Sequence, residues 1–544
     1  MRLARVSGHL LRHRLDGAYY DPSALALDAR LRQLGNARRL ESLRDAERPI
    51  TNGVRGPEFV DSSFKLIRLQ DCIDWEVRAD LALSISGKQF NENARCRLRR
   101  DDVVVAIGGY IGNAAVVIDD AAAVIGQHSA RVSLAASGPM NPRFLVAYLN
   151  SEPGRVQFAR LMRGTVQQGL NLEDVQEIEV PVFADMAQRY IGDKVRQAER
   201  LRERVSSLES FARTLVAGLL EQLIDEHAAL ALLQRGPRSE ALRSLASALP
   251  SRATLSSIDA HRETRHTNRV VPADLTNLWA APSYRPAITH AIAHLKSMHW
   301  APLGTLCSEP IVQGRTPTYS TTGVGYPCLK TRHVNGLFVD DSEPDLVTPE
   351  CAQELARFQV VQGTLLMNRS GAGSVGRCAV YLSDGAPLTN EHLLHIKLNA
   401  AHDPCFVLLF LSSWWGERAI EQGITGSTGQ LNLANEHVSR IPVPNFHQEV
   451  QVGVGNLIRM ASSCANHARA LTHCAKLLVE HLIEGRVTEA DLVAAQKALE
   501  ASDRSADREL LKALRRSDAP DAKPVIADVA ALYALLDGSE GRDA

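Results

Sequence analysis

The segment Leu170-Asn171-Leu172, followed after a short gap by Val180-Pro181-Val182, has a close counterpart later in the chain. There, Leu431-Asn432-Leu433 precedes Ile441-Pro442-Val443. The offset is 261 residues both from Leu170 to Leu431 and from Pro181 to Pro442. A register shared over a whole block is hard to obtain by chance. The sequence therefore predicts two copies of one domain, and a duplicated but non-identical domain is suited to gripping two unlike pieces of one extended partner.

The correspondence continues upstream of this block. Each copy has a buried strand, a glycine-rich turn and a second short strand, with the turns at 108–112 and 371–376. Three further pairs follow the same order: Gly53-Val-Arg55-Gly-Pro57 with Gly314-Arg315-Thr-Pro317, Gln127-His128 with Asn390-Glu391, and Asn141-Pro142 with Asp403-Pro404. The last pair introduces an apolar helix in each copy. The drift in offset is only a few residues, as insertions in surface loops would cause.

Each copy ends in a long predicted helix with an apolar stripe at spacings of three and four residues. The first stripe is Ile191, Val195, Ala198, Leu201, Val205, Leu208, Phe211, Leu215 and Leu219, and the second is Val454, Ile458, Ala461, Ala465, Ala468, Leu471, Ala475, Leu478 and Leu482. Either each helix packs on its own domain, or the two helices pair and hold the domains apart. The second interpretation is favoured because both stripes continue beyond the globular region.

Composition narrows the class of protein. A chain of 544 residues with 45% hydrophobic and 23% charged residues is long enough for several domains with their own cores. The net charge of −1 gives no global basic field, although a local basic groove is compatible with it. Nine cysteines without C-x-x-C spacing, no signal peptide and no apolar run of membrane-spanning length predict a reduced, cytoplasmic protein without a structural metal.

The stretch from Gly371 to Gly376 matches G-x-G-x-x-G, the pattern of dinucleotide-binding turns. A strand, Cys378-Ala-Val-Tyr-Leu, is predicted after it, whereas a nucleotide cradle needs a helix whose N-terminus faces the phosphates. A structural turn is the favoured interpretation. No constellation able to carry catalysis is found, because the acidic pairs fall in predicted turns. The sequence indicates a binding protein without a cofactor of its own.

Polar side chains suited to phosphates and base edges cluster in the turns of both copies. The candidate DNA-binding residues are Arg55, Lys65, Arg68, Tyr110 and Asn113 in the first copy, and Arg315, Lys330, Arg332, Asn368, Arg369 and Ser370 in the second. Each cation alone is more often a solvated surface charge. Their matching positions in the two copies favour a shared binding role.

Several segments resemble the specificity (S) subunit of type I restriction–modification systems, the HsdS-like family. They are Arg14-Leu-Asp16-Gly-Ala-Tyr-Tyr20-Asp-Pro22, the strand–turn–strand from Ile107 to Val117, the helix from Asn141 to Ser151, and Gly169-Leu-Asn-Leu to Val180-Pro-Val. The resemblance spans about residues 10–225 and 280–485. The chain departs from the family pattern at Cys378, in Asn445-Phe-His-Gln-Glu and in its tail, which is interpreted as an addition absent from the first copy.

The resemblance implies an α+β fold with two tandem target recognition domains of mixed α/β structure and small twisted sheets. Each domain is followed by a long helix, and the two helices pack antiparallel as a coiled coil. The expected division is 1–185 for the N-terminal recognition domain, 186–235 for the first spacer helix, 236–285 for a linker, 286–446 for the C-terminal recognition domain, 447–485 for the second spacer helix, and 486–544 for a partly mobile helical extension.

The function implied by the resemblance is recognition of a bipartite, asymmetric site in double-stranded DNA. Methyltransferase (M) subunits, two in the expected complex, would dock on the helices, and motor–endonuclease (R) subunits would join for cleavage. S-adenosylmethionine, ATP and Mg²⁺ would bind to these partners and not to this chain. Two alternatives stay open: a non-catalytic scaffold or regulatory subunit of a phage-defence complex without sequence readout, and an enzyme that binds a nucleotide at Gly371–Gly376.

Overall fold

A computed structural model describes residues 17–163, 168–256, 268–272, 275–276, 278–426, 431–517 and 522–540. The motif residues Arg14 to Asp16 and parts of the linker expected over 236–285 lie outside this set. The chain divides into two compact units. The first comprises the described residues up to Arg202 and those from Ala465 onward, and the second runs from Glu203 to Cys464. The domain boundaries expected from the sequence stay predictions.

The first unit is a mixed α/β unit built on small sheets. Its strands are β1 (Ala37–Arg39), β2 (Thr51–Asn52), β3 (Lys65–Ile67), β4 (Cys72–Ile73), β5 (Glu76–Val77), β6 (Leu83–Ser84), β7 (Val103–Ala106), β8 (Ala114–Val116), β9 (Ala123–Ile125), β10 (Ser129–Val132) and β11 (Glu179–Pro181). Its helices before the long one are α1 (Pro22–Leu34), α2 (Gly87–Glu92), α3 (Pro142–Asn150), α4 (Glu152–Leu161) and α5 (Leu172–Gln176). The main sheet has the order β2-β10-β7-β8-β5-β4, a second has the order β6-β3-β9, and β1 pairs with β11.

The long helix α6 (Asp185–Leu220) is followed by three shorter helices, α7 (Glu226–Arg235), α8 (Glu240–Ala248) and α9 (Arg252–Ser256). The segment expected to be one spacer helix over 186–235 therefore holds two helices. The turn between α6 and α7 separates them.

The second unit repeats the arrangement of the first. Its strands are β12 (Trp300–Pro302), β13 (Val312–Gln313), β14 (Tyr326–Leu329), β15 (Asp345–Val347), β16 (Leu365–Asn368), β17 (Cys378–Val380), β18 (Leu388–Thr389), β19 (Leu393–Ile396), β20 (Ile424–Thr425), β21 (Asn432–Leu433) and β22 (Pro442–Pro444). Its helices before the second long one are α10 (Pro286–Ser297), α11 (Leu303–Leu306), α12 (Pro349–Glu354), α13 (Pro404–Leu411), α14 (Trp414–Glu421) and α15 (Asn435–Ser439). The sheet order β13-β19-β16-β17 matches β2-β10-β7-β8, and β15-β14-β18 matches β6-β3-β9.

The second long helix is α16 (Gln448–Glu484), and the tail holds α17 (Glu489–Glu500), α18 (Ser505–Ala513) and α19 (Val529–Glu540). The mixed α/β class with small sheets and long helices is thus confirmed. None of the described helices combines the length and the apolar character needed to cross a membrane.

The apolar helix after each Xaa-Pro pair begins in the same way. Asn141 caps α3 by accepting hydrogen bonds from the backbone N–H groups of Arg143 and Phe144. Asp403 caps α13 by accepting from those of Cys405 and Phe406. Such caps satisfy N–H groups that have no partner inside the helix, and proline at the first helical position needs none. The helices predicted after these pairs are confirmed.

The apolar stripes of both long helices are buried, except that Val205 and Ala465 are only partly so. Within the first unit, the guanidinium of Arg202 donates to Thr472 Oγ1 at 2.7 Å, well inside both helices. The N–H of Ala184, just before α6, donates a hydrogen bond to the carboxylate of Glu489, which lies just after α16. The start of one helix therefore lies beside the end of the other in this unit, which is the order of helices running in opposite directions. A continuous coiled coil stays a prediction.

The tail departs from the sequence-based interpretation, because α17 has a counterpart in the first copy. Glu489 in the first turn of α17 accepts from the N–H of Ala184 at 3.0 Å, in the first unit. Glu226 in the first turn of α7 accepts from the N–H of His447 at 2.6 Å, in the second unit. The offset is 263 residues for both members of these pairs. The repeat therefore extends at least one helix beyond each long helix, and this part of the tail belongs to it.

Candidate nucleic-acid interface

Four turns of the first unit meet at one edge of its sheets, and we call them the first turn cluster (residues 54–55, 67–71, 107–113 and 126–128). The N–H of Val54 donates to the carbonyl of Ile125, and that of Gly126 donates to the carbonyl of Ile67, both at 2.9 Å. The N–H of Ile107 donates to the carbonyl of His128 at 2.9 Å. Backbone bonds between the ends of neighbouring strands therefore bring together turns that are far apart in the sequence.

The second turn cluster (residues 314–315, 329–333, 368–377 and 390–392) is assembled by backbone bonds of the same kind in the second unit. The N–H of Gly314 donates to the carbonyl of Leu393 at 3.0 Å, and that of Asn390 donates to the carbonyl of Leu329 at 3.2 Å. The N–H of Arg369 donates to the carbonyl of His392 at 2.8 Å. The two clusters thus share one backbone frame.

The glycine-rich turn closes in the same way in both clusters. The N–H of Gly112 donates to the carbonyl of Ala106 at 2.9 Å, and that of Gly376 donates to the carbonyl of Asn368 at 2.8 Å. Both glycines have a φ of 84°, in the left-handed region that favours glycine. The second turn is longer by two residues, so the same closing hydrogen bond joins the ends of loops of different length.

The second turn leads into strand β17 and not into a helix. No helix N-terminus therefore follows Gly376 to receive a nucleotide phosphate. Burial raises the pKa of the Cys378 thiol, just after this turn, to about 12, so the thiol stays protonated at neutral pH. These observations support a structural turn. The described residues also hold no group of three His, Cys, Asp or Glu side chains placed to bind a metal ion.

Four of the five predicted residues of the first copy lie in the first turn cluster, and Lys65 lies at the start of β3, two residues before it. Arg55 and Tyr110 are exposed, with Tyr110 at 77%. Lys65 Nζ donates to Ser84 Oγ at 3.0 Å, and Arg68 makes two hydrogen bonds of 3.0 Å with the buried carboxylate of Asp71. Asn113 is exposed, and its side-chain oxygen accepts from Arg155 at 2.7 Å. Arg55 and Tyr110 are the most accessible members of this set.

The predicted residues of the second copy differ in accessibility. Lys330 and Arg332 share the carboxylate of Asp345, at 3.1 and 2.8 Å. The guanidinium carbon of Arg315, which is exposed, lies 5.0 Å from the ring centroid of Phe358.

The remaining three lie at the entrance to the glycine-rich turn. Asn368 is fully buried, and its Oδ1 has no hydrogen-bond partner. Arg369 and Ser370 are half-buried, and Ser370 Oγ lies 2.7 Å from His392 Nδ1. Asn368 could reach a ligand only if the turn above it moved. A DNA-contacting role for all eleven predicted residues stays a prediction.

Sequence reasoning missed His128 and His392 as members of the turn clusters. It paired Gln127-His128 with Asn390-Glu391, but the strand registers shift this pairing by one residue. Ser129 lies opposite Ala106, and Leu393 lies opposite Asn368. Gln127 is therefore equivalent to Glu391, and His128 is equivalent to His392. The signal was a histidine immediately before the strand in both copies.

No family model matches the chain. A segment of 179 residues is 27% identical to the type I restriction enzyme EcoBI specificity subunit of Escherichia coli. The match covers 33% of this chain and 37% of that protein, so the chain spans about a third of the length of this curated relative.

Among solved structures, the S subunit of a type I restriction–modification system from M. genitalium gives a TM-score of 0.37 at 14% identity, over 82% of this chain and 94% of that one. The HsdS subunit from Thermoanaerobacter tengcongensis gives 0.25 at 17% identity, over 83% and 97%. The sequence match with the curated subunit confirms the resemblance that the motifs indicated: this chain is similar to type I specificity subunits.

Proposed function

We propose that this chain is the DNA sequence-specificity subunit of a type I restriction–modification complex and carries no catalytic site of its own. Each unit presents one turn cluster to the DNA and reads one half of a bipartite site. The observation that carries the proposal is the pair of turn clusters, which share a backbone frame but differ in side chains and in loop length. Two readers of this kind are suited to two different half-sites, so the recognised sequence is asymmetric.

The clusters offer the chemistry that DNA recognition requires. Cations beside exposed polar side chains fix a protein on the duplex through phosphates, while polar groups read the edges of bases. Arg55 and Arg315 follow equivalent strands and are both exposed. Lys330 and Arg332 form ion pairs with Asp345 that a phosphate can replace. The overall charge of −1 makes this a local effect and not a property of the whole surface.

The long helices α6 and α16 set the separation of the half-sites and dock two methyltransferase subunits, with motor–endonuclease subunits joining for cleavage. Support comes from the long buried stripes, which hold the helices in place and leave their other faces for partners. Val452 and Met460 on α16 are each 39% exposed.

Methylome sequencing of cells with and without this chain tests the proposal, in a host that expresses the partner methyltransferase. Loss of one bipartite, asymmetric methylated motif on deletion is the expected result. An unchanged methylome would refute the assignment. For a scaffold without sequence readout, the methyltransferase-bound chain would bind random and motif-containing duplexes with equal affinity, and competition binding at a fixed salt concentration separates the two functions.

A further inference from the structure

The first turn cluster holds an exposed pair of adjacent polar residues, Gln127 and His128. Their side chains meet, with Gln127 Nε2 2.9 Å from His128 Nε2. The imidazole also lies against the glycine-rich turn, because a Cβ added at Gly108 would come within 2.9 Å of His128 Nδ1. The histidine ring therefore stands between the first residue of the turn and the glutamine amide.

The second turn cluster repeats this arrangement with different chemistry. His392 Nδ1 lies 2.7 Å from the hydroxyl of Ser370, which precedes its turn and is the counterpart of Gly108 in the strand register. On its other side, His392 Nε2 lies 3.6 Å from a carboxylate oxygen of Glu391. The ring again stands between the turn and the preceding side chain, but that side chain is a carboxylate in place of an amide.

The two pairs occupy one position in the shared frame. The carbonyl oxygens of His128 and His392 accept equivalent hydrogen bonds from Ile107 and Arg369. The backbone that carries Gln127 and Glu391 is thus held alike in both units, while the functional group it presents differs. A residue that changes chemistry on a constant backbone is what a reader of two unlike half-sites requires.

We propose that Gln127 and Glu391 are equivalent base-reading residues, and that His128 and His392 position them. This inference rests on the proposed function. In the major groove, a glutamine amide pairs with the N6 and N7 atoms of adenine, and a glutamate carboxylate accepts from the N4 amino group of cytosine. Gln127 therefore reads adenine in one half-site, and Glu391 reads cytosine in the other. The histidines are positioning residues because they act on the DNA through the side chains they orient.

Exchange of the two functional groups tests this inference. The full chain in complex with its methyltransferase partner selects binding sites from a randomised duplex library, and the wild type defines the motif. Gln127→Glu should replace a preference for adenine by one for cytosine at one position of one half-site. Glu391→Gln should make the reverse change in the other half-site. Affinity for the original duplex should fall roughly 5- to 150-fold in Gln127→Glu, the range of one bidentate base contact, and by less in Glu391→Gln, which loses a single accepted hydrogen bond.

Matched controls carry the same charge changes elsewhere. Gln33→Glu on α1 and Glu509→Gln on α18 alter exposed residues outside the turn clusters. They separate base reading from the general effect of charge on DNA affinity. Both controls should select the wild-type motif.

The positioning role has its own readout. His128→Ala should weaken the adenine preference at the Gln127 position and leave the other half-site and non-specific DNA affinity unchanged. A loss of folding alone would lower binding to all sequences equally.

The outcomes distinguish the two proposals. A wild-type complex that selects no motif refutes the proposed function. A wild-type complex that selects a bipartite motif, with both exchange variants selecting that same motif, overturns the base-reading inference alone. An exchange variant that alters both half-sites also overturns it, since each residue acts in its own unit.

Discussion

Arg131 in β10 and His395 in β19 occupy the same register position, opposite the equivalent residues Val104 and Leu366. Both are buried, at 2% and 3% exposure. The guanidinium of Arg131 donates to the carbonyls of Pro49, Arg95 and Arg97. His395 Nε2 instead lies 2.5 Å from Thr389 Oγ1, and burial lowers its pKa to about 4. The same buried position in the strand therefore accommodates either a cation bound by several carbonyl acceptors or a neutral ring bound by one hydroxyl.

The shorter helices that follow α6 and α16 also differ in the kind of side chain they bury, apolar in one unit and charged in the other. In the second unit, Leu242 and Leu245 of α8 are buried, and Leu245 packs on Gly218. In the first unit, α18 buries Asp507, which accepts from Lys194 Nζ and from the Tyr190 hydroxyl, both at 2.6 Å. The Tyr533 hydroxyl also donates to Asp507. An apolar contact tolerates exchange for another apolar group of similar volume, whereas a buried ion pair depends on a complete set of partners.

The largest expected effect comes from breaking this buried pair. Asp507→Ala leaves the fully buried ammonium of Lys194 without a counter-ion and should cost about 3–5 kcal/mol of unfolding free energy. Urea unfolding measures it. The double variant Lys194→Met with Asp507→Leu should recover most of the loss, because well-packed apolar groups replace buried ion pairs at little cost. A loss below about 1 kcal/mol of unfolding free energy for Asp507→Ala would contradict the statement that the buried ion pair depends on a complete set of partners.

The Arg131 and His395 comparison predicts an acid sensitivity that comes from the second unit. His395 stays neutral when folded until pH falls to about 4, whereas the unfolded histidine takes up a proton near pH 6.5. The stability it contributes is therefore complete above about pH 6.5 and is lost as pH falls towards 4, by up to about 3 kcal/mol.

His395→Gln should remove this part of the pH dependence, as measured by urea unfolding of both proteins between about pH 8 and about pH 4. Burial also lowers the pKa of His402, His437 and His473, so the difference between wild type and variant is the informative quantity. Parallel curves for the two proteins would argue against a buried neutral His395.

The glycine-rich turns should respond alike, because their closure is shared. A Cβ at Gly112 would lie 2.6 Å from the Phe158 ring, and one at Gly376 would lie 2.7 Å from Ile420 Cγ2. Gly112→Ala and Gly376→Ala should each cost about 1–2 kcal/mol for the left-handed backbone, with crowding added. Thermal unfolding of both variants checks this. A cost confined to one copy would show that the turns do not close equivalently.

The smallest effect is expected at the helix caps. Asn141→Asp should change stability by less than about 0.5 kcal/mol, because asparagine and aspartate cap helices equally well. Asp403→Asn should cost about 1 kcal/mol, because the buried Asp403 carboxylate also forms an ion pair with Arg459. The same unfolding assay compares the two variants. Equal costs would indicate that the ion pair contributes nothing.

Much of the fold could be predicted from local pattern. The long helices and the strands on either side of each glycine-rich turn follow from apolar periodicity, and α3 and α13 follow from their cap and proline. The counterpart of α17 was not recognised because the offset between the copies changes here from 261 to 263 residues, although Asp225-Glu226 and Thr488-Glu489 begin the two helices in the same way. The equivalence of His128 and His392 was also missed. Insertions in the loops shift the sequence alignment at this point, and only the pairing of the strands shows which residues correspond.

The sequence by itself determined that the chain is a duplication, where its long helices lie and which residue types fill its turns, because these properties are local and repeat along the chain. Only the tertiary structure decided which turns meet, that Asn368 is buried while Tyr110 is exposed, and that Arg68 and Lys330 are already paired with carboxylates. The reason is physical: pairing between distant strands and the burial of charge depend on contacts that no local pattern encodes.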